Sequence, residues 1–186
     1  MENIWSNENL IKILNENGVV VMPTDTIYGL VGKAFEKDTV ERIYKIKKRD
    51  LNKPSIILIG DINEIKKLGI ELTQAQEDVL KEYWPGPVSI VFKCSNPDLF
   101  FLHRGTETLA LRLPFSYTLR HLLTKTGPLI ATSVNPEGLI PAKSVEEAKK
   151  YFGNLVDLYV EGKAILEKHS KLIRFNDDGS ISVLRE

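Results

Sequence analysis

Three short clusters carry side chains suited to holding an anion or a small polar ligand. Pro23-Thr24-Asp25-Thr26-Ile27-Tyr28-Gly29-Leu30 follows an apolar run and brings hydroxyls and a carboxylate together. Side chains two apart in extended chain face one side, so Thr24 and Thr26 can present both hydroxyls to one ligand. Gly29 admits close backbone approach. A plain turn, with Asp25 and the threonines satisfying local backbone groups, explains the same residues.

Lys47-Lys48-Arg49-Asp50-Leu51-Asn52-Lys53-Pro54 is the second cluster. In extended chain Lys47 and Arg49 project to the same side, where a planar guanidinium and a mobile ammonium can clamp phosphate or carboxylate. Stabilisation of a helix C-terminus through its dipole is the plainer alternative. Ala131-Thr132-Ser133-Val134-Asn135-Pro136 is the third cluster. Ser133 and Asn135 offer a hydroxyl and an amide to a phosphate or carboxylate, or else form a local turn before the proline. Arg112, in Leu109-Ala110-Leu111-Arg112-Leu113-Pro114, sits at the end of an apolar strand and must find a partner or reach an opening.

Other chemistries lack residues. His103, His121 and His169 show no metal-ligand spacing, and with one cysteine a structural zinc site has too few ligands. Cys94 has no base nearby in the sequence and reads as a small buried hydrophobe at a strand end. Neither a Walker A pattern nor G-x-G-x-x-G is present, so ATP would be bound some other way.

The elements that must position these residues follow from periodicity. Ser6 caps a first helix with Leu10, Ile11, Ile13 and Leu14 as its stripe, ended by Gly18. Val19 to Met22 is a buried strand stopped by Pro23. A helix fits Asp38 to about Lys48, a strand Ser55 to Ile59, and a short helix Asp61 to Leu68. Thr73 and Gln76 form a capping box that opens a helix through Trp84. Trp84-Pro85-Gly86-Pro87 then forces a turn.

Strands are expected at Val88 to Phe92 and Thr108 to Leu113, with a polar loop from Ser95 to Thr106. Ser116 to Lys125 is helical, Pro128 to Thr132 a strand, and Ser144 with Glu147 a second capping box for a helix reaching Tyr151. Late strands are expected at Asp157 to Val160, Lys171 to Phe175 and Ser180 to Leu184. Asn176-Asp177-Asp178-Gly179 makes a hairpin turn between the last two. Interleaved strands and helices define an α/β class. The late strands lack intervening helices, so the sheet is mixed.

The chain has 186 residues, which suits a single domain over 1–186. Lys plus Arg and Asp plus Glu both total 25, so the formal net charge is zero and any anion site must be a local cluster of cations. One thiol suits a reducing compartment, hence a cytoplasmic protein. The start of the chain lacks a signal-peptide pattern, and no stretch approaches the ~18 apolar residues of a membrane span.

Taken together and in this order, the motifs resemble the YrdC-type threonylcarbamoyl-AMP synthase family. They are Pro-Thr-Asp-Thr-Ile-Tyr-Gly-Leu at 23–30, Lys47 and Arg49 with Lys53-Pro54, Trp84-Pro85-Gly86-Pro87, Arg112-Leu113-Pro114, and Ser133 with Asn135. The resemblance runs from about Gly18 to the C-terminus and implies an open, twisted α/β sheet with a large concave cavity lined by cations. It implies synthesis of threonylcarbamoyl-adenylate and pyrophosphate from L-threonine, bicarbonate and ATP, with Mg2+ accompanying the ATP. A separate transferase complex then modifies tRNA, with at most a weak tRNA contact here.

By the same resemblance Thr24, Arg112 and Ser170 hold threonine. Lys47, Arg49, Thr108, Ser133, Asn135 and Arg185 line the ATP and bicarbonate region, and Lys47, Arg49, Ser133 and Asn135 carry the catalysis. The chain departs from the family at Lys171, where a Thr usually follows the Ser, and at Ala142 after Pro141. A non-catalytic RNA-binding member, motivated by the cations from Lys47 to Lys53, and a paralogue with another carbamoyl acceptor are the alternatives.

Overall fold

The computed structural model describes residues 4–162, 168–176 and 180–186. Two of its strands form a tight hairpin, β1 (Val20–Pro23) and β2 (Tyr28–Lys33), in which Pro23 pairs with Tyr28. The sequence predicts a first strand that stops at Pro23 and assigns no strand to 28–33. Proline is tolerated here because it ends the strand at the turn. Helix α1 (Glu8–Asn15) precedes the hairpin, and Asn7 rather than Ser6 caps it, through Leu10 N at 3.0 Å.

Further along lie α2 (Lys37–Lys47), β3 (Ile56–Leu58), the single turn α3 (Glu64–Lys67) and α4 (Gln74–Tyr83). The capping box at Thr73 and Gln76 forms as expected, with both reciprocal bonds present. Between β4 (Val88–Lys93) and β5 (Thr108–Arg112) the expected loop instead holds a 3-10 turn, Pro97–Leu99, and a short α5 (Phe100–His103). Leu99 and Leu102 bury there and hold that segment to the core.

Ser116 caps α6 (Tyr117–Thr126), which leads into β6 (Leu129–Ser133). Ser144 caps α7 (Val145–Phe152), but Glu147 returns its carboxylate to Lys143 N and not to Ser144 N. The chain closes with β7 (Leu158–Tyr159), β8 (Lys171–Phe175) and β9 (Ile181–Arg185). Of the expected hairpin turn before β9, residues 177–179 lie outside the described residues.

All nine of these strands join one open sheet in the order β7-β1-β2-β6-β3-β5-β4-β8-β9. The pairs β1–β7, β3–β5 and β4–β8 are parallel and the others antiparallel, so the sheet is mixed.

The two faces of the sheet are covered unequally. On one, Val21, Leu30, Ile57, Ile90, Leu111 and Ile173 pack in a continuous core with Ile43 and Tyr44 of α2, Leu80 of α4 and Ala148 of α7. On the other, Val20, Met22, Val31, Leu58 and Leu129 pack against Leu10 and Leu14 of α1 and Leu119, Leu122 and Leu123 of α6. The α6 leucines recur at i, i+3 and i+4, and full burial of each contributes about 1.5–3 kcal/mol. No residue of β4, β5, β8 or β9 joins this second core. Among the described residues, half of one sheet face is therefore left without a helix over it, and the site lies there.

Candidate active site

A cavity of about 230 Å³ opens on the uncovered half. Its floor is made of alternate residues of adjacent strands: Ile56 and Leu58 of β3, Ala110 and Arg112 of β5, Ala131 and Ser133 of β6. The two-residue repeat of a strand sends these to one side. Ligands of open α/β sheets usually sit in loops beyond the strand ends. The structure places the cavity on the face of the sheet, with those loops as its walls. Small Ala110 and Ala131 keep the floor low.

Arg112 is the most deeply buried of the cations that line the cavity. Its Nη1 donates to Asp25 Oδ1 at 2.5 Å, with side chains 4% and 0% exposed, and its Nη2 lies 3.4 Å from Thr26 Oγ1. Asp25 Oδ2 accepts from Phe115 N at 3.1 Å. The Nε–H of Arg112 is buried and has no partner. Arg112 thus has both the structural ion pair and the opening that the sequence offered as alternatives.

Thr24 lies in the β1–β2 turn. Its hydroxyl donates to Ile27 O at 2.7 Å and accepts from Thr26 N at 3.1 Å. The turn places Thr24 Oγ1 and Thr26 Oγ1 3.1 Å apart, and both residues line the cavity. From the opposite wall, Ser170 Oγ lies 2.8 Å from Ser89 Oγ and accepts from Arg185 Nη2 at 3.2 Å. Arg185 also donates from Nε and Nη2 to Ser170 O at 3.1 and 2.8 Å.

Lys47 and Arg49 do not project to the same side. Lys48 ends α2 in the left-handed conformation, φ 51°, and turns Arg49 away from the direction of Lys47. Arg49 lines the cavity, oriented by donations to Lys53 O at 3.2 Å and Pro54 O at 2.9 Å. Lys47 is 1% exposed and lies behind the wall. Its Nζ donates to Ser133 O at 2.5 Å and Asn135 O at 2.6 Å, tying α2 to the end of β6. Burial, then the charge of Arg49, push its pKa down to about 7, while Glu137 works against them. Lys47 positions the Ser133–Asn135 loop and does not line the cavity.

Ser133 lines the cavity and donates to Asn135 Oδ1 at 2.6 Å, while Asn135 Nδ2 donates to Pro136 O and Leu139 O at 2.9 and 2.7 Å. Asn135 therefore orients Ser133 and the following loop. Thr108 is not brought into the cavity. It lies four residues before Arg112 on β5, ~13 Å along a strand, and lines a separate cleft at the sheet's end with Lys93 and Arg174.

Of the residues named from sequence, the cavity gathers Thr24, Arg49, Arg112, Ser133, Ser170 and Arg185. The sequence reading did not assign Tyr28 or His169, which also line it. Tyr28 Oη donates to Gly162 O at 2.5 Å, and its proton is held more firmly by burial. Its place inside the first motif was the available signal. Among the described residues no cluster of three or more His, Cys, Asp or Glu side chains is grouped for a metal ion, and no helix is long and apolar enough to cross a membrane. Cys94 is buried, with Sγ 3.6 Å from Leu68 O.

The family described as "Telomere recombination", which groups Sua5, YciO and YrdC, matches residues 12–186. The chain belongs to this family. A protein of Hahella chejuensis named threonylcarbamoyl-AMP synthase is 32% identical over 186 residues, covering 98% of each chain. Among solved structures, Sua5 of P. abyssi complexed with L-threonine superposes with a TM-score of 0.88 at 25% identity, covering all of this chain and 55% of the other. The chain therefore spans about half the length of that Sua5. E. coli YciO superposes with a TM-score of 0.84 at 25% identity, covering all of this chain and 91% of YciO.

Proposed function

We propose that this protein is an L-threonylcarbamoyladenylate synthase, forming threonylcarbamoyl-AMP and pyrophosphate from L-threonine, bicarbonate and ATP. The observation that carries the reading is the convergence of Arg49, Arg112 and Arg185 with Thr24, Ser133 and Ser170 in one cavity. The H. chejuensis relative, matched over nearly its whole length, supports the activity. The L-threonine complex of P. abyssi Sua5 supports the amino acid.

Each residue has a definable task. Arg112 lines the cavity as a buried cation and supplies the positive charge that the carboxylate of threonine meets. Asp25, held by Arg112 and Phe115 N, fixes the direction of the guanidinium. The hydroxyls of Thr24 and Ser170 line opposite walls and bind the polar groups of the amino acid. Arg49 and Arg185 hold the anions, bicarbonate and the phosphates, whose mutual repulsion they offset. Ser133 contacts the phosphates, held in place by Asn135 and Lys47. Thr108 is left out of this set because it lines another cleft.

The amine of threonine attacks the bicarbonate carbon, forming the carbamate N–C bond and expelling water. A carbamate oxygen then attacks the α-phosphorus, and pyrophosphate leaves. No side chain becomes a covalent intermediate, so catalysis comes from orientation and charge stabilisation. Magnesium enters on the triphosphate as part of the ATP substrate. The adenylate then passes to a separate transferase that modifies adenosine in tRNA. We place the reaction in the cytoplasm, which the buried free Cys94 suits.

The test is pyrophosphate release from Mg-ATP and bicarbonate, with and without L-threonine. Release that needs L-threonine, and that serine and alanine do not support, is the expected result. Release indifferent to the amino acid refutes the reading.

A further inference from the structure

L-Threonine at neutral pH is an ammonium and has no lone pair with which to attack bicarbonate. The cations that line the cavity cannot take up its proton, because Arg49, Arg112 and Arg185 are guanidiniums that stay charged. Tyr28 keeps its proton by burial and uses it on Gly162 O. Asp25 is engaged by Arg112 and Phe115 N. Among the described residues lining the cavity, the remaining group that titrates near neutrality is the imidazole of His169.

We propose that His169 is the general base that takes a proton from the threonine ammonium. This inference rests on the synthase reading and adds a catalytic residue to it. His169 lines the same cavity as Thr24, Arg112 and Ser170 and directly precedes Ser170. Its ring makes no hydrogen bond among the described residues, so a lone pair is available, and the residue is exposed.

The charged and titratable groups around this position come from four elements. They are Arg185 on β9, Arg112 on β5 backed by Asp25, Arg49 after α2, and Tyr28 on β2. Lys171, the next residue but one, is turned to Glu186. Partial burial, then the charge of Arg185, lower the imidazole below its ordinary 6.5. The free base is therefore the resting form at neutral pH.

An ammonium N–H bond breaks, its proton goes to the imidazole, and the electron pair stays on nitrogen. The amine then forms the N–C bond to bicarbonate while a C–O bond breaks, and the departing hydroxide leaves as water with the second amine proton. The imidazolium, facing Arg185, returns its proton to solvent on its exposed side.

The experiment measures threonine-dependent pyrophosphate release against pH for the wild type, His169→Gln and His169→Gly, and threonine affinity by calorimetry. The wild type should lose kcat/KM on an acid limb. His169→Gln should lose that limb and fall by about a hundredfold, the lower end of what a positioned base supplies, with threonine affinity unchanged. Added imidazole should restore His169→Gly. A His169→Gln variant with the wild-type rate and acid limb overturns this inference alone, as does a His169→Gly variant that imidazole does not restore. A wild type without threonine-dependent release removes the synthase reading and this inference with it.

Discussion

Asp25→Ala isolates the ion pair beneath the cavity. Asp25 and Arg112 are 0% and 4% exposed and 2.5 Å apart, so solvent has little access to either partner. Removing the carboxylate leaves a buried guanidinium with only Thr26 Oγ1 at 3.4 Å, and leaves Phe115 N without its acceptor. Breaking a buried pair in this way costs about 3–5 kcal/mol. For a chain of 186 residues that is a fall in Tm of roughly 6–20 °C. Of this loss, about 1–3 kcal/mol belongs to the orphaned N–H of Phe115.

Adding Arg112→Met removes the uncompensated charge, so Asp25→Ala/Arg112→Met should recover all but the Phe115 share. Urea unfolding followed by the fluorescence of Trp5 and Trp84, both buried, gives the four corners of the double-mutant cycle. A double variant as unstable as Asp25→Ala alone would refute the reasoning, because the cost would then lie in lost packing and not in a stranded charge. A single-variant loss below about 1 kcal/mol, the range of an exposed pair, would refute it too.

Three further outcomes follow from the same geometry. Below pH about 7 Lys47 is charged both folded and unfolded; between about 7 and its ordinary 10.5 the unfolded chain holds a proton that the folded chain has released, so unfolding free energy should climb with pH over that window. Lys47→Met should flatten the climb in urea titrations at several pH values, and an identical slope in both proteins would contradict the burial of that ammonium. Gly86→Ala places a Cβ 2.1 Å from Tyr83 O, so the backbone must shift at a cost of about 1–3 kcal/mol, read as a lower urea midpoint. Arg49→Ala removes hydrogen bonds to Lys53 O and Pro54 O and a cation–π contact with Tyr44 at 5.8 Å, so Tm should fall by only a few degrees while threonine-dependent pyrophosphate release falls ~100-fold or more; a rate near wild type would take Arg49 out of the anion set.

Local signals in the chain determined most elements. Apolar runs marked β1, β3, β5 and β6, and Thr73 and Ser144 began the helices they were expected to cap, because hydrophobic period and end-capping act within a few residues. The motif order alone pointed to the family, and the need of Arg112 for a partner could be read from an arginine in an apolar strand. Strand β2 escaped because its glycines and its turn residues look like a loop until β1 and β6 pair with it from both sides. Tertiary structure alone decided that α1 and α6 cover half of one sheet face and leave the rest open as the cavity floor. It also decided that Lys48 turns Arg49 into the cavity and Lys47 behind its wall, and that His169 lines the same cavity as Arg112 and Thr24, far from both in the chain. Such choices depend on contacts between distant segments, which periodicity and spacing within a segment do not encode.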